Sequence, residues 1–255
     1  MTDLIKTTIA DGVLTLVMDR PEKKNALTDA MYGALADALE AAQDDAAVRV
    51  IVIRGAGDMF TAGNDLGDFA KVAAGAMGER QVGRFLAALT TNAKPLVAAV
   101  QGRAVGIGTT MLLHCDYVIL SDDAQLTTPF VNLALVPEAA SSLLLPERIG
   151  HLRAFAMFGL GEAVGAADAV VWGLANRAVP AGELVAAASE IAAQLAKQPP
   201  GALVAAKKLT RRVPAIAAQM EVEAAEFAAR LKTPEALEAF TAFAERRAPD
   251  FSRFS

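Results

Sequence analysis

The feature that most constrains the fold is the alternation of two residue patterns in the first half of the chain. Residues 48–55, 94–102 and 116–121 are short runs of branched apolar residues, the composition of buried strands. Between them, residues 28–42 and 79–91 carry apolar side chains at helical spacing. Strands that alternate with helices favour parallel pairing, because each helix returns the chain to the same end of the sheet. The sequence therefore predicts an α/β fold.

The two ends of the chain have simpler patterns. Near the N-terminus, Asp11 and Gly12 separate two β-like runs, which predicts a hairpin. Thr28 is suited to cap the helix that follows it. From Pro146 onward the chain is Ala-rich, and prolines divide it into segments of helix length, with no strand predicted beyond about Val136. A helical region is therefore expected to pack on the α/β core.

Composition and charge exclude several classes of protein. The net charge is −5, and no block of Lys and Arg suggests a nucleic-acid partner. No apolar run approaches the roughly 20 residues of a membrane span, and the N-terminal residues lack the zones of a secretory signal. The single cysteine, Cys115, excludes a disulfide framework within the chain. A packing role for Cys115 and a cytoplasmic location are expected, without a membrane partner.

Two loops dense in small residues follow predicted strands: FTAGNDL at 60–66 and QGRAVGIGTTM at 101–111. Where a strand ends in such a loop and a helix begins, backbone N–H groups are free. Two adjacent loops can direct one N–H each at a single oxygen, which forms an oxyanion hole. Tight turns in a Gly- and Ala-rich chain would produce the same pattern, and the glycine spacing does not match a dinucleotide-binding loop.

Four motifs occur in a fixed order: RPEKKNALT, FTAGNDL, KPLVAAVQGRAVGIG and AFAERRAPDF. Together they resemble the motifs of the crotonase superfamily, also called the enoyl-CoA hydratase/isomerase family, over nearly the whole chain. The resemblance implies a spiral core of ββα turns over residues 1–195, followed by a C-terminal helical trimerisation region over residues 196–255. It also implies a homotrimer, or a hexamer formed as a dimer of trimers.

The resemblance further implies an acyl-CoA thioester as substrate, with no metal and no redox cofactor. Members of the family stabilise a thioester enolate with two backbone N–H groups, which by motif match belong to Ala62 and Ile107. Asp65 is expected to fix its loop by accepting backbone hydrogen bonds, and Asn132 to hydrogen-bond near the catalytic acid. Phe243 and Arg246 match positions that reach a neighbouring subunit's CoA in relatives. The other implied positions for substrate and CoA are Lys23, Ala26, Thr61, Asn64, Leu66 and Phe130.

The acids of the chain indicate the reaction. Hydratases of the superfamily use two glutamates, because one group positions water while another manages the proton. The matching positions here are Thr110 and Phe130, so both glutamates are absent. This departure argues against ordinary hydratase activity.

One other acid lies in a suitable segment. TPFVNLALVPEAASS resembles a segment of the monofunctional delta-3,delta-2-enoyl-CoA isomerases, in which the glutamate matching Glu138 is the single catalytic base. Apolar neighbours raise the pKa of a carboxyl group and make it a better base at neutral pH. Pro137 followed by an acid is also typical of a helix start. The residues expected to supply the apolar surroundings are Phe130, Leu135, Val136 and Leu143.

The predicted activity is therefore conversion of 3-enoyl-CoA to trans-2-enoyl-CoA, with Glu138 as the proton carrier. Two alternatives stay open: hydration or another crotonase-type reaction, and a non-catalytic subunit that binds acyl-CoA. Ser141 and Ser142 with His114 or His151 suggest a hydrolase triad, but no G-x-S-x-G elbow surrounds them. Residues 71–78 are a candidate cover for the acyl site.

Overall fold

Two sheets organise the structure, a computed structural model that describes residues 2–65, 67 and 80–254. The described strands are β1 (Ile5–Ala10), β2 (Val13–Met18), β3 (Val50–Gly55), β4 (Leu96–Val100), β5 (Arg103–Val105), β6 (Tyr117–Ser121), β7 (Gln125–Thr127), β8 (Val164–Gly165) and β9 (Arg177–Val179). The larger sheet has the order β1-β2-β3-β4-β6-β9, and the smaller one has the order β5-β7-β8. In the larger sheet, β1 pairs antiparallel with β2 and every other pair is parallel.

Helices follow most of the strands and form the C-terminal part of the chain. The described α-helices are α1 (Asp29–Asp44), α2 (Gln81–Thr91), α3 (Ile107–Thr110), α4 (Ser141–Ile149), α5 (His151–Phe155), α6 (Ala166–Val171), α7 (Leu184–Ala196), α8 (Pro200–Thr210), α9 (Val213–Arg230) and α10 (Pro234–Ala244). Shorter turns are 3-10 helices at Pro21–Lys23, Met111–His114, Val131–Leu133 and Ala181–Glu183, and a π-helix at Ala156–Leu160. Within the described residues, no helix combines the length and the apolar composition that crossing a membrane requires.

The local predictions for the first half of the chain are confirmed. Asp11 and Gly12 have φ angles of 51° and 80°, and they form the hairpin between β1 and β2. Positive φ at both central residues is the requirement of a two-residue type I′ turn. Thr28 caps α1, because its side chain accepts a hydrogen bond from the Met31 N–H at 3.3 Å.

Both faces of the larger sheet are buried, which explains why its strands lack polar alternation. In β3, Ile51 and Ile53 belong to the main core together with side chains of α1 and α2. Val50 and Val52 belong to a second apolar cluster with residues of α7. A parallel sheet covered on both faces has continuous apolar strands, as the run of residues 50–53 shows.

The prediction of no strand beyond about Val136 is wrong. Strand β8 pairs with β7, and β9 pairs with β6 at the end of the larger sheet. The two strands contain two and three residues, which is too short to show a period of two in the sequence. The helical pattern after Pro146 is otherwise confirmed, with Pro200, Pro214 and Pro234 each in the first turn of a helix.

Asn25, in the first of the four motifs, joins two loops through its side chain. It is fully buried and has a φ angle of 54°. Its Oδ1 atom accepts from the Arg20 N–H at 2.8 Å, and its Nδ2 atom donates to the carbonyl oxygens of Ala56 and Met59, each at 2.8 Å. The side chain thus satisfies backbone groups of the first turn and of the segment that leads into FTAGNDL.

We expect Asn25→Ala to lower the free energy of unfolding by about 2 to 4 kcal/mol, because buried backbone groups lose their partners. Urea denaturation followed by circular dichroism measures this change. Glu22→Ala is the control, because Glu22 is exposed in the same turn, and it should stay within about 0.5 kcal/mol of the wild type. Equal midpoints for the two variants would contradict the role of Asn25.

Candidate active site

The loop FTAGNDL is held against the first turn of the chain by backbone hydrogen bonds. The Ala62 N–H donates to the Lys24 carbonyl oxygen at 2.9 Å. The Leu27 N–H donates to Gly63 O at 2.8 Å, and the Asp65 N–H donates to Leu27 O at 2.9 Å. The prediction that Ala62 offers a free N–H is therefore wrong, because that donor is already bonded. The free donor is two residues further on, since the Asn64 N–H has no acceptor among the described residues.

Side chains also fix the conformation of this loop. The hydroxyl of the fully buried Tyr32, on α1, donates to Asn64 Oδ1 at 2.6 Å. Asp65 accepts from the Gly67 N–H at 2.9 Å, as expected, and forms an ion pair with Arg20 at 2.7 Å. The loop is thus tied both to the first turn of the chain and to α1.

The second loop lies beside the first. The Thr61 N–H donates to Arg103 O at 3.2 Å, and the Val105 N–H donates to Thr61 O at 3.1 Å. Gly63 has a φ angle of 88°, and a Cβ atom there would lie 2.7 Å from Val105 O, so this approach requires glycine. Helix α3 begins at Ile107, whose N–H has no acceptor among the described residues. Ile107 is therefore a second free donor, next to the first loop.

A cavity of about 650 Å³ lies in front of the two loops. Asn132 lies on this cavity and not on the one that Glu138 lines, in contrast to the expectation for it. Phe243, expected to reach a neighbouring subunit, lines the cavity of its own chain. The residues that both the sequence and the structure place here are Lys23, Ala26, Ala62, Asn64, Asp65, Phe130, Asn132 and Phe243.

Three predicted substrate residues are not placed on this cavity. Thr61 is buried behind it, where its hydroxyl donates to Asn25 O at 2.6 Å and accepts from the Gly63 N–H at 3.0 Å. Arg246 is exposed and does not line the cavity. Leu66 lies outside the described residues, as do residues 71–78, the candidate cover.

A second cavity, of about 540 Å³, lies between α2 and α9 and shares Asn64 and Phe227 with the first. Its walls are mainly apolar, and Glu138 is one of the few charged groups on them. The apolar walls around Glu138 come mainly from two helices distant in sequence, and none of the four residues predicted to surround it lines this cavity. The apolar wall residues include Val82, Leu86, Ala87, Met220, Ala224, Phe227 and Leu231.

The Glu138 carboxyl group has the properties of a base. Its Oε1 atom is buried and has no hydrogen-bond partner among the described residues. Burial raises the pKa of Glu138 to about 7, with Arg80 acting to lower it and Glu223 acting to raise it. The helix-start interpretation is wrong, because α4 begins only at Ser141. A group with a pKa near 7 suits proton transfer at neutral pH.

The other candidate groups do not form a catalytic set. The two hydratase positions hold a buried Thr110 and a buried Phe130, so neither offers a carboxylate. Burial and the nearby Arg211 lower the pKa of His114 to about 3, and its ring bonds Ala139 O and Arg211 rather than a serine. Burial raises the pKa of Cys115 to about 12, which fits the predicted packing role. Among the described residues, no three His, Cys, Asp or Glu side chains are grouped as metal ligands.

Comparison with known proteins identifies the family of this chain. Residues 8–253 match the family model described as enoyl-CoA hydratase/isomerase. The chain belongs to the enoyl-CoA hydratase/isomerase family. The crotonase resemblance of the four motifs is thereby confirmed.

Similar family members include both hydratases and isomerases. The chain is 33% identical over 241 residues to the 2,3-dehydroadipyl-CoA hydratase of Escherichia coli (strain K12), covering 94% of each chain. It is 32% identical over 216 residues to enoyl-CoA delta isomerase 2 of Homo sapiens, covering 82% of this chain and 55% of the human protein. The family thus establishes crotonase-type acyl-CoA chemistry, and the particular reaction depends on the residues of the site.

A solved structure confirms the predicted fold. The crystal structure of an enoyl-CoA hydratase/isomerase from Pseudoalteromonas atlantica T6c is 41% identical to this chain, with a TM-score of 0.93. The match covers 98% of this chain and 100% of that one. The crotonase fold with a C-terminal helical region is therefore shown, whereas trimer formation and the boundary at residue 195 stay predictions.

The buried carboxyl group should make stability depend on pH. With a folded pKa of about 7 against the ordinary glutamate pKa of 4.5, Glu138 holds its proton to higher pH in the folded chain than in the unfolded one. Its contribution to the free energy of unfolding therefore falls as the pH rises from about 4.5 to 7. We expect Glu138→Gln to raise the free energy of unfolding at pH 8 by about 1 to 3 kcal/mol, and much less at pH 5.

Urea denaturation of both proteins at pH 5 and pH 8 measures this difference. Glu162→Gln removes one charge from an exposed position and should not raise the free energy of unfolding more at pH 8 than at pH 5. A Glu138→Gln variant that is less stable than the wild type at pH 8 would contradict a buried carboxyl group with a raised pKa.

Proposed function

We propose that this protein is an acyl-CoA isomerase that converts 3-enoyl-CoA to trans-2-enoyl-CoA. One observation carries the proposal: Glu138 lines an apolar cavity together with Asn64, whose N–H has no acceptor among the described residues, while both hydratase positions lack a carboxylate. The site thus has one well-placed base where hydration uses two acids.

A single carboxylate is sufficient for this reaction. Glu138 removes a proton from C2 of the substrate, and the electron pair moves through the thioester carbonyl to give a dienolate. The carboxyl group then delivers the same proton to C4, and the double bond forms between C2 and C3. No water enters the product. A base with a pKa near neutrality both accepts and returns the proton readily.

The dienolate oxygen would be held by the backbone N–H groups of Asn64 and Ile107. Both donors lack acceptors among the described residues and belong to loops joined by backbone hydrogen bonds. Donors fixed in place before the reaction stabilise developing negative charge without the cost of reorganisation. Ile107 keeps the role that the sequence predicted for it, and Asn64 replaces Ala62.

Each of the two cavities would bind a different part of the substrate. The larger one extends past Lys23 and Phe243 and would hold the pantetheine part of CoA, while the apolar one between α2 and α9 would hold the acyl chain. The thioester would then lie where they meet, at Asn64 and Phe227. CoA enters this scheme as part of the substrate, and none of the proposed steps uses a metal or a redox cofactor.

Purified protein should isomerise 3-hexenoyl-CoA and should hydrate crotonyl-CoA poorly. Glu138→Gln should lower kcat for isomerisation by about 1,000-fold or more, because the proton carrier is lost. Glu162→Gln, which is exposed, should keep wild-type kcat. Hydration of crotonyl-CoA that survives in Glu138→Gln would overturn the proposal in favour of a hydratase. Binding without turnover of either substrate would favour an acyl-CoA-binding subunit.

Tyr32 provides a test of the Asn64 donor. Tyr32→Phe removes the hydroxyl that holds Asn64 Oδ1, and we expect kcat to fall on the order of tenfold because the loop loses its orientation. Tyr117→Phe is the matched control, because Tyr117 packs against the cluster under α7, and it should leave kcat unchanged. Steady-state kinetics with 3-hexenoyl-CoA separates the two, and equal kcat values would contradict the role of Asn64.

A further inference from the structure

A second buried carboxylate, Glu223 on α9, contacts the turn that follows Glu138. Its Oε2 atom accepts from the Ala140 N–H at 2.6 Å. Its Oε1 atom accepts from the Ser142 N–H at 2.8 Å and from the Ser142 hydroxyl at 2.5 Å. The side chain is buried, with an exposed fraction of 5%. Three donors of one turn thus converge on one carboxylate from a helix distant in sequence.

This turn has an unfavourable backbone conformation that needs support. Ala139 and Ala140 have φ angles of 63° and 55°, and left-handed backbone at residues other than glycine costs about 1 to 2 kcal/mol each. On the other side of the turn, His114 Nε2 donates to Ala139 O at 2.8 Å. Arg211 donates to His114 Nδ1 at 2.6 Å, which places the ring proton on Nε2. Glu223 and His114 therefore hold the turn from opposite sides.

The hydrogen bonds of Glu223 identify its role as support rather than acid catalysis. Gln219 donates to the Ser142 hydroxyl oxygen at 2.9 Å, so the hydroxyl proton points to Glu223. Both oxygens of Glu223 accept from protein donors, and the carboxylate form satisfies all three. Glu138 differs, because its Oε1 atom has no partner among the described residues. The two acids are therefore not an equivalent pair for activating water.

Glu223 also acts on Glu138 through its charge. Both carboxyl groups line the cavity between α2 and α9. Among the described residues, the charged and titratable groups around Glu138 and its cavity are Asp29 and Tyr32 from α1, Arg80 from the start of α2, and Glu221 and Glu223 from α9. Arg80 favours the ionised form of Glu138, and Glu223 opposes it. Removing Glu223 takes away one of the two influences that keep Glu138 protonated and leaves burial alone to oppose Arg80.

We propose that Glu223 is a positioning residue for the proton transfer by Glu138: it holds the turn that carries the base and supplies a like charge that keeps the proton on it. The proposal rests on the proposed role of Glu138 as base. It extends the site to α9, in the C-terminal helical region.

Two variants test separately whether Glu223 acts by holding the turn or by its negative charge. Glu223→Gln removes the charge and presents an NH₂ group to a backbone N–H, whereas Glu223→Asp keeps the charge and shortens the reach. We expect kcat for 3-hexenoyl-CoA to fall about 10- to 100-fold in both, because the base is displaced. In Glu223→Gln alone, the acidic limb of the pH profile of kcat/KM should move to lower pH by about 0.5 to 1 unit. Glu226→Gln, an exposed charge on the same helix paired with Arg230, should change neither quantity.

The outcomes distinguish this proposal from the proposed function. If Glu138→Gln keeps isomerase activity, the function itself fails. If Glu138→Gln is inactive while Glu223→Gln keeps wild-type kcat and an unshifted acidic limb, only the role of Glu223 fails. A lower kcat in Glu223→Gln without movement of the limb would also overturn it, because the loss would then be structural. If Glu223→Gln does not fold, wild-type kcat in Glu223→Asp still overturns the positioning role.

Discussion

The attachment of the FTAGNDL loop to the first turn of the chain is the interaction on which the rest of the site depends. The Lys24 carbonyl oxygen accepts from the Ala62 N–H, and the Leu27 N–H donates to the Gly63 carbonyl oxygen. The Asn25 side chain bonds backbone groups on either side of this junction. The Ala62 N–H is bonded in this pairing, whereas the Asn64 N–H has no acceptor among the described residues. The fold thus determines which donor is available for the proposed reaction, through a hydrogen bond that the motif alone does not reveal.

The sequence predicted those parts of the molecule that depend on local or nearly continuous patterns. The hairpin at Asp11, the cap at Thr28 and the buried strands were all recoverable, because turn chemistry and branched apolar runs are visible within a few residues. The strand at residues 177–179 was missed because three residues show no period. The two loops were recognised as adjacent, but the choice between Ala62 and Asn64 required knowing the partner at Lys24.

The surroundings of Glu138 were harder to predict for a related reason. The residues next to it in sequence were expected to provide its apolar environment, yet Phe130 and Leu135 face the other cavity. The environment comes instead from α2 and α9, which pack against each other only in the folded chain. Glu223 could not be recognised from the sequence, because nothing in the neighbouring residues of its helix indicates a hydrogen bond to a turn 81 residues away. Burial of a charge without a partner costs stability, and the raised pKa of Glu138 reflects that cost.

The C-terminal helices determine when the site can form during synthesis of the chain. The cavity between α2 and α9 has residues of α9 in its walls, the larger cavity is lined by Phe243 of α10, and the turn after Glu138 is held by Glu223. A growing chain that has made both glycine loops and Glu138 still lacks one side of each cavity. The proposed site is therefore complete only after α9 and α10 have been synthesised, and a chain that ends before them cannot bind acyl-CoA in the proposed arrangement.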